Sequence, residues 1–567
     1  MAKADQETKT QRVERLKREK NPWEGLEEIR RFARDGYDSI PPEWLGTYFR
    51  WWGIYTQGDG AGVVGGKGGE GKAVPRFMVR IRIANGLLTS HQLRTIAGLT
   101  RRFARGIADI TVRQNIQLHW VTIESLPEIL GALWGCGLNT LAACGDVTRN
   151  ITGCPVAGVD RDELCDASPL AVGATRIFTG NPEFYNLPRK FKISITGCRV
   201  WCAYPEINDI SLTATERTVR GNPEVGFSLR VGGGLSTDPH FATRLDAFVR
   251  WHEVQSVLRA IAELFRESDV LREHRERARL KFLFLRNGWT AEGFQKELER
   301  RLGYSLEPGV EEKIPDDVYR DHIGIHPQKQ PGYCYVGASV LRGRITADQM
   351  DAAADLAERF ANGELRTTNM QNLLIVNVPQ LQAESLAKEL AGIGLQVGGS
   401  PFGRGVVACT GTEFCKLAIT ETKSFSRWLV DELDERLPGF AQHLKLHVTG
   451  CPNSCGQHWI ADIGIEGKKI KVRDQMLDAY YFCLGGGVGL HQSLARPVGY
   501  RCLAGEVPDA IERLLRRYLE RQLPGENLRQ FFARHNDDEL RTFLAGETVE
   551  AAVRDIPAGL VPHGIEG

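Results

Sequence analysis

The sequence predicts an α+β fold made from two copies of one sheet-and-helix unit, and three observations carry that prediction. The first is an internal offset of 257 residues (346 − 89), which pairs Thr89 with Thr346, Phe103 with Phe360, Gly106 with Gly363, Gln114-Asn115 with Gln371-Asn372 and Gly135-x-Gly137 with Gly392-x-Gly394. That period far exceeds the roughly 20–50 residues of a solenoid repeat, so it reads as duplication of a domain. The second is the order of patterns inside each copy, strand then helix then strand then helix, which suits sheets with helices on one face. The third is an echo beyond each copy: KFKISITGC (190–198) resembles LKLHVTGC (444–451), and VGGGLS (231–236) resembles LGGGVG (484–489).

In chain order, residues 1–70 read as an N-terminal arm, with the glycine-rich run GAGVVGGKGGEGK (60–72) as a mobile loop. Residues 71–140 form the first half-domain. It opens with RFMVRIRI (76–83), whose apolar/basic alternation predicts a strand. TSHQLRTIAGLTRRFARG (89–106) predicts a helix with a Thr or Ser cap and a Gly stop. ADITVRQNIQLHWV (108–121) predicts a second strand, and a second helix ends near Gly137. Residues 319–398 repeat the plan with GYCYVGASV, TADQMDAAADLAERFANG, ELRTTNMQNLLIVNV and a helix ending near Gly394. Larger segments follow each half-domain, 141–318 and 399–515, and residues 516–567 read as a charged, helical, peripheral tail.

Lys+Arg less Asp+Glu is 72 − 71, a net charge of +1, which argues against a nucleic-acid binder. No apolar run approaches the roughly 18–20 residues a membrane helix needs, and the N-terminus lacks the apolar core of a signal peptide. The expectation is a cytoplasmic protein without membrane partners. Thirteen cysteines, an odd number in a large chain, do not read as a disulfide framework. Most are expected to be small buried apolar residues, with a subset binding metal.

That subset is Cys409-TGTEF-Cys415 followed, after 35 residues (416–450), by Cys451-PNS-Cys455. Thiolates bind soft metals and clusters. Three readings compete at this point: a four-iron cluster, a structural zinc site, which prefers closer pairs, and coincidental buried cysteines. Gly450 and Pro452 give Cys451 a sharp turn of the kind cluster loops use. The motifs ACTGTEFCKLAITETK and VTGCPNSCGQ, together with the duplication, resemble the siroheme-dependent assimilatory nitrite and sulfite reductases over roughly residues 45–515. The resemblance implies a pseudo-two-fold duplicated nitrite/sulfite reductase fold, with ferredoxin-like half-domains (71–140, 319–398) and larger siroheme- and cluster-binding α/β domains (141–318, 399–515).

It also implies a [4Fe-4S] cluster on Cys409, Cys415, Cys451 and Cys455, with Cys455 bridging to siroheme and Asn453 beside it. The family's basic substrate site falls on Arg80, Arg149, Lys190 and Lys192. A buried anion needs paired cations, and such groups can donate protons as oxygens leave as water. Taken singly, each is more often a solvated surface charge. Arg113, Gln114 and Asn115 match the stretch that reaches the siroheme carboxylates; the plainer reading is a strand end. Gln328 and Lys329 in HPQKQ match a loop beside the macrocycle. Gly233 and Gly486 sit in turns that let amides approach cofactor carboxylates, or are simply tight turns. Tyr55 and Cys144 match a pair that is covalently joined in some sulfite reductases of the family; otherwise they are a core aromatic and an ordinary thiol.

A phosphate-loop reading of Gly66-KGGE-Gly71-Lys72 fails because Ala73 replaces the metal-binding Ser or Thr. No dinucleotide fingerprint opens a helix, so electrons come from an external donor. The resemblance implies a ferredoxin or a flavoprotein, of which ferredoxin is expected, docking on a local basic patch. A monomer is expected. The expected reaction is six-electron reduction of sulfite to sulfide, with nitrite to ammonia as the alternative. A non-catalytic iron–sulfur carrier is the more distant one. Many nitrite-preferring relatives carry Asn where this chain has Lys192, which favours sulfite; the ACTGTEFCKLAITETK stretch resembles both branches.

Overall fold

A computed structural model describes residues 7–58, 73–315 and 320–546. The glycine-rich run 60–72 lies outside the described residues.

Each half-domain contributes a five-stranded antiparallel sheet, and the two sheets exchange their edges. One runs Ile54–Gly58, Ala73–Ile81, Ile116–Val121, Ile107–Ile110 and Arg344–Thr346; the other runs Gly324–Pro327, Tyr333–Ala338, Leu373–Pro379, Glu364–Thr367 and Leu87–Thr89. The edge strand 344–346 comes from the second copy into the first sheet, and 87–89 from the first copy into the second. Each edge strand runs straight into a helix, Ser90–Phe103 or Ala347–Phe360, capped by Thr89 with Gln92 or by Thr346 with Gln349 in reciprocal capping boxes. Such a box satisfies two of the donors a helix start leaves open. Leu93, Ile96 and Ala97 of one helix and Met350, Ala353 and Ala357 of the other enter a single apolar core shared by both copies.

The expected single strands 108–121 and 364–378 are each a hairpin instead. The physical reason is the turn at 111–115. Thr111 Oγ1 accepts from the amides of Arg113 and Asn115 at 3.3 and 3.2 Å, while Gln114 takes a left-handed φ of 58°. The second copy repeats this with Thr368 and Gln371, φ 63°. A threonine oxygen offered to nearby amides competes with the ladder and ends it.

Two further expectations are corrected. Residues 9–58 are no detached arm: Ile29, Phe32, Trp44 and Phe49 are buried in the shared core, and Ile54–Gly58 is a strand of the first sheet. Residues 516–546 are no peripheral tail: the helix Val507–Arg521 runs through position 516, and Leu528, Phe531, Phe532, Leu540 and Leu544 fill the core of the C-terminal sheet.

The larger segments carry the remaining two sheets. The first is Ile193–Thr196, Ile210–Val219, Asn222–Val231 and Thr243–Arg250; the second is Val406–Ala408, Leu446–Thr449, Ile463–Val472, Gln475–Leu484 and Arg496–Leu503. Both contain a parallel pair with the same register, Ile193 beside Ile210 and Leu446 beside Ile463. The loop after the first strand of each pair begins Thr-Gly-Cys. The described residues include no helix long and apolar enough to cross a membrane.

Candidate functional site

The site forms where the first half-domain, the 141–210 region and the Cys409–Cys415 loop meet. Arg80 lies on strand Ala73–Ile81 opposite Gln117, and its Nε and Nη2 donate to Gln117 Oε1 at 2.9 and 2.5 Å. Gln117 Nε2 in turn donates to Thr410 Oγ1, one residue after Cys409, at 3.5 Å. The Arg80 Nη1 also donates to Cys144 Sγ at 3.1 Å, and the guanidinium stands 5.9 Å from the Tyr55 ring centroid. Tyr55 and Cys144 therefore flank one cation.

Arg149 donates from Nε and Nη2 to the Gly145 carbonyl at 3.0 and 2.8 Å. Lys190 and Lys192 are half-buried, and neither ammonium has a hydrogen bond or ion pair among the described residues. Burial first, then Arg189 and Arg279, pushes Lys190 down to about 7; the charge of Cys455 pulls the other way. Burial and then Lys190, Arg279 and Arg113 lower Lys192. Arg113 is pushed down to about 9 by burial and then Arg149. The carboxylate in this group is Asp209, which accepts from the Lys192 amide at 2.8 Å and from Arg279 at 3.0 and 2.7 Å. An enclosed group of cations with unsatisfied ammonium groups is a receptor for anions.

Beside it, the four expected cysteine sulfurs share one neighbourhood. Burial, and then the charges of Cys455, Cys409 and Cys415, raise Cys451, and burial with Cys455 pushes Cys415 up to about 12. Donors already aim at these sulfurs: the Gly450 amide at 3.2 Å from Cys409 Sγ, and Asn453 Nδ2 at 3.4 Å from Cys451 Sγ. The Cys409–Cys415 loop is fixed by Phe414, whose ring stacks 3.8 Å from the His119 ring and whose carbonyl accepts from the Gly58 amide. Gly456 leaves no room for a side chain, since a Cβ there would meet the Val448 carbonyl at 2.4 Å. Cys455 is the exposed member of the four.

Other expected residues have different work. Gln114 Nε2 donates to the carbonyls of Asn85 and Thr367, and its Oε1 accepts from the Gly153 amide. Asn115 Oδ1 accepts from the Ile83 amide. Gln114 thereby joins the two copies and Asn115 braces its own half-domain, because the hairpin turn points both side chains inward. Gln328 bonds Asn377 and Gln330, and Lys329 pairs with Glu163 at 2.6 Å, so this loop binds protein groups rather than the cationic group. The amides of Gly233 and Gly486 donate to Asn208 and Ala461 carbonyls at 2.8 and 2.9 Å. Those glycines serve close packing, as a Cβ on either would lie within 2.7 Å of a carbonyl oxygen, and their amides are not left for a cofactor. Arg279, which anchors Lys192 through Asp209, carried no signal in the sequence. The Cys198-x3-Cys202 spacing did carry one: it copies Cys451-x3-Cys455.

The family described as nitrite and sulphite reductase 4Fe-4S domain matches residues 144–306 and 400–549, and the nitrite/sulfite reductase ferredoxin-like half domain matches 70–133 and 326–393. An assimilatory ferredoxin-dependent nitrite reductase of Haloferax mediterranei is 37% identical over 548 residues, 91% of this chain and 90% of the relative. A sulfite reductase [ferredoxin] of Mycobacterium tuberculosis is 36% identical over 540 residues, 93% and 95% of the two chains. The solved structure of the Mycobacterium tuberculosis NirA protein superposes with a TM-score of 0.87 at 35% identity, covering 93% of this chain and 97% of that one.

Proposed function

This chain belongs to the nitrite and sulphite reductase family, and from that premise we propose that it reduces sulfite to sulfide by six electrons drawn from ferredoxin. It is an oxidoreductase whose family cofactors are a [4Fe-4S] cluster and siroheme. The observation that carries the sulfite reading is the pair of ammonium groups without a partner among the described residues, Lys190 and Lys192, beside Arg80 and Arg149. Sulfite titrates between monoanion and dianion near neutral pH, and each added cation in the site favours the more highly charged ligand.

The residues fit the cofactors. Four neighbouring thiolates supplied with N–H donors suit a cluster, and the excess of half-buried cations over Asp209 suits a macrocycle bearing carboxylates. Cys409, Cys415, Cys451 and Cys455 would hold the cluster, Cys455 facing siroheme, with Arg113 toward the carboxylates. When bound, the cluster and siroheme would supply the storage and passage of single electrons to the anion. The chain's own part is to bind and protonate. Arg80, fixed by Gln117, and Arg149, fixed by Gly145, offer hydrogen bonds to substrate oxygen. Lys190, pushed down to about 7, holds a proton it can release and regain near neutral pH, as a general acid should. An anion bound between the lysines raises both again.

Tyr55 and Cys144, on either side of Arg80, are proposed to form a thioether. That bond costs one S–H and one ring C–H, two hydrogens in all, with dioxygen as the two-electron acceptor. A cross-linked tryptic peptide two hydrogens lighter supports it; a Cys144 that alkylates fully refutes it. The segmentation into half-domains 71–140 and 319–398 and larger domains 141–318 and 399–515 is proposed on the same grounds.

Nitrite to ammonia is the second reading, favoured by the Haloferax mediterranei relative. Steady-state kinetics with reduced ferredoxin and both anions test the proposal. A higher kcat/KM for nitrite overturns the substrate. Turnover with a flavoprotein but not ferredoxin overturns the donor, and a spectrum without siroheme bands overturns both.

A further inference from the structure

The first half carries a second set of cysteines at the places equivalent to the cluster ligands. Cys198 and Cys202 match Cys451 and Cys455 at one offset of 253 residues (451 − 198 and 455 − 202). Cys154 matches Cys409: each lies two residues after a position bridged in parallel to the next strand, Thr152 to Ser194 and Val407 to His447. Cys415 has no cysteine counterpart here. A histidine from elsewhere in the chain, His322, joins the group instead.

The geometry is tight. The ligand atoms of Cys154, Cys202 and His322 lie within 4.8 Å of one another, and among the described residues no other group of three His, Cys, Asp or Glu does so. Cys198 Sγ is 3.4 Å from Cys202 Sγ and within hydrogen-bonding reach of the Cys154 thiol. His322 is 3% exposed, and both its ring nitrogens are buried with no hydrogen-bond partner among the described residues. Leaving such a group unsatisfied is costly, so two on one ring beside three sulfurs call for a ligand. The surroundings are the apolar Val156, Val159, Tyr335, Leu374 and Val376, with the Arg320 guanidinium, paired with Asp160 at 2.9 Å, on one side.

We propose that Cys154, Cys198, Cys202 and His322 hold a single zinc ion, a second metal centre separate from the four-iron site. Zn–S bonds of about 2.3 Å in a tetrahedron place sulfurs about 3.7 Å apart, close to the 3.4 Å between Cys198 and Cys202. A four-iron cluster hangs each cysteine on a different iron and needs wider spacing. Three thiolates and an imidazole in an enclosed site select zinc, which they would hold tetrahedrally. Loading is ligand exchange with loss of thiol protons and needs no electrons. The ion clamps the 153–202 loops to the segment that enters the second half-domain. That segment is already fastened at its other side by Asp321, which accepts from Arg404 at 2.6 and 2.9 Å, and Asn369 Nδ2 holds the Cys202 carbonyl at 3.2 Å.

The test is metal analysis and zinc-edge X-ray absorption on the holoenzyme purified without a metal-chelating tag. Expected are about one zinc per chain, three sulfurs at about 2.3 Å and one nitrogen at about 2.0 Å. Cys154→Ser and His322→Ala should each cut zinc at least about threefold with iron content unchanged. Should either variant fail to fold, the wild-type edge spectrum decides alone. Zinc below about a tenth of an equivalent, zinc with only oxygen and nitrogen neighbours, or iron in its place overturns the proposal. None of these readouts depends on which anion the enzyme reduces.

Discussion

The two halves of the molecule share a frame and have divided the chemistry. In each, a parallel strand pair with identical register ends in a Thr-Gly-Cys loop. In each, an aspartate accepts from a lysine amide just before that pair, Asp209 from Lys192 at 2.8 Å and Asp462 from Lys445 at 2.7 Å. The first half surrounds this frame with Arg113, Arg149, Lys190 and Arg279, and its lysine is half-exposed. In the second half Lys445 is buried, and the loop cysteines gather with Cys409 and Cys415. Duplication thus supplied two equivalent places, of which the first adds a group of cations to its loop cysteines and the second gathers Cys409, Cys415, Cys451 and Cys455. The Arg80–Gln117–Thr410 relay joins them.

The sharpest way to break this division is to remove a thiolate from the second half. Cys451→Ser should lower activity by about a thousandfold or more, because electrons no longer reach the anion, and acid-labile sulfide should fall with it. Retention of the cluster and of activity would mean that the first-half cysteines carry it instead.

The cation side is next in size. Lys192→Asn removes one charge-assisted hydrogen bond to a dianion, about 1.5–3 kcal/mol, or roughly ten- to a hundredfold in affinity. The loss in kcat/KM should be far larger for sulfite than for nitrite. Equal losses would show that Lys192 holds the macrocycle rather than setting the preference.

Lys190 gives a pH signature. Its pKa lies low, about 7, through burial and neighbouring cations, so the ammonium form that binds an anion is full below that pH and empties above it. With nitrite, which does not itself titrate in this range, kcat/KM should fall toward tenfold per pH unit above about 7. Lys190→Arg, which stays charged, should move that falling limb upward. An unmoved limb assigns the titration to another group.

Much of this was legible in the chain because it lies in local spacing. The offset that pairs Gln114 with Gln371 revealed the duplication, and C-x5-C with C-x3-C marked the sulfurs. The edge exchange of 87–89 and 344–346 was not legible, because three-residue strands have no periodicity to read. Nor was the role of Gln114 and Asn115: a match to a family stretch fixes position, whereas a left-handed turn decides which way the side chains point. Arg279 could not be found because its partner Asp209 is 70 residues away. The Cys198–Cys202 pair was visible as a second C-x3-C, but only beside His322 does it become a ligand set.

The smallest effect concerns the symmetry itself. Gln114 Nε2 donates to two carbonyls, Asn85 at 3.2 Å and Thr367 at 3.1 Å, while its Oε1 accepts from the Gly153 amide. Gln371 does the same for Ile110 at 2.9 Å, Ala408 at 3.1 Å and the Ala408 amide. Each side chain crosses from one copy to the other, and each is buried at 0% and 3% exposure. Truncation leaves two carbonyls and an amide without a partner where water cannot replace it. Gln114→Ala and Gln371→Ala should therefore each destabilise the fold by about 1–3 kcal/mol, read from the denaturant midpoint at constant slope. The two costs should agree within about 1 kcal/mol, since the bonds are the same in kind and number. A clear inequality would mean that one junction relaxes and the other does not. Gln371 bonds the residue just before Cys409, so the stiffer junction would then be the one that holds the cluster loop.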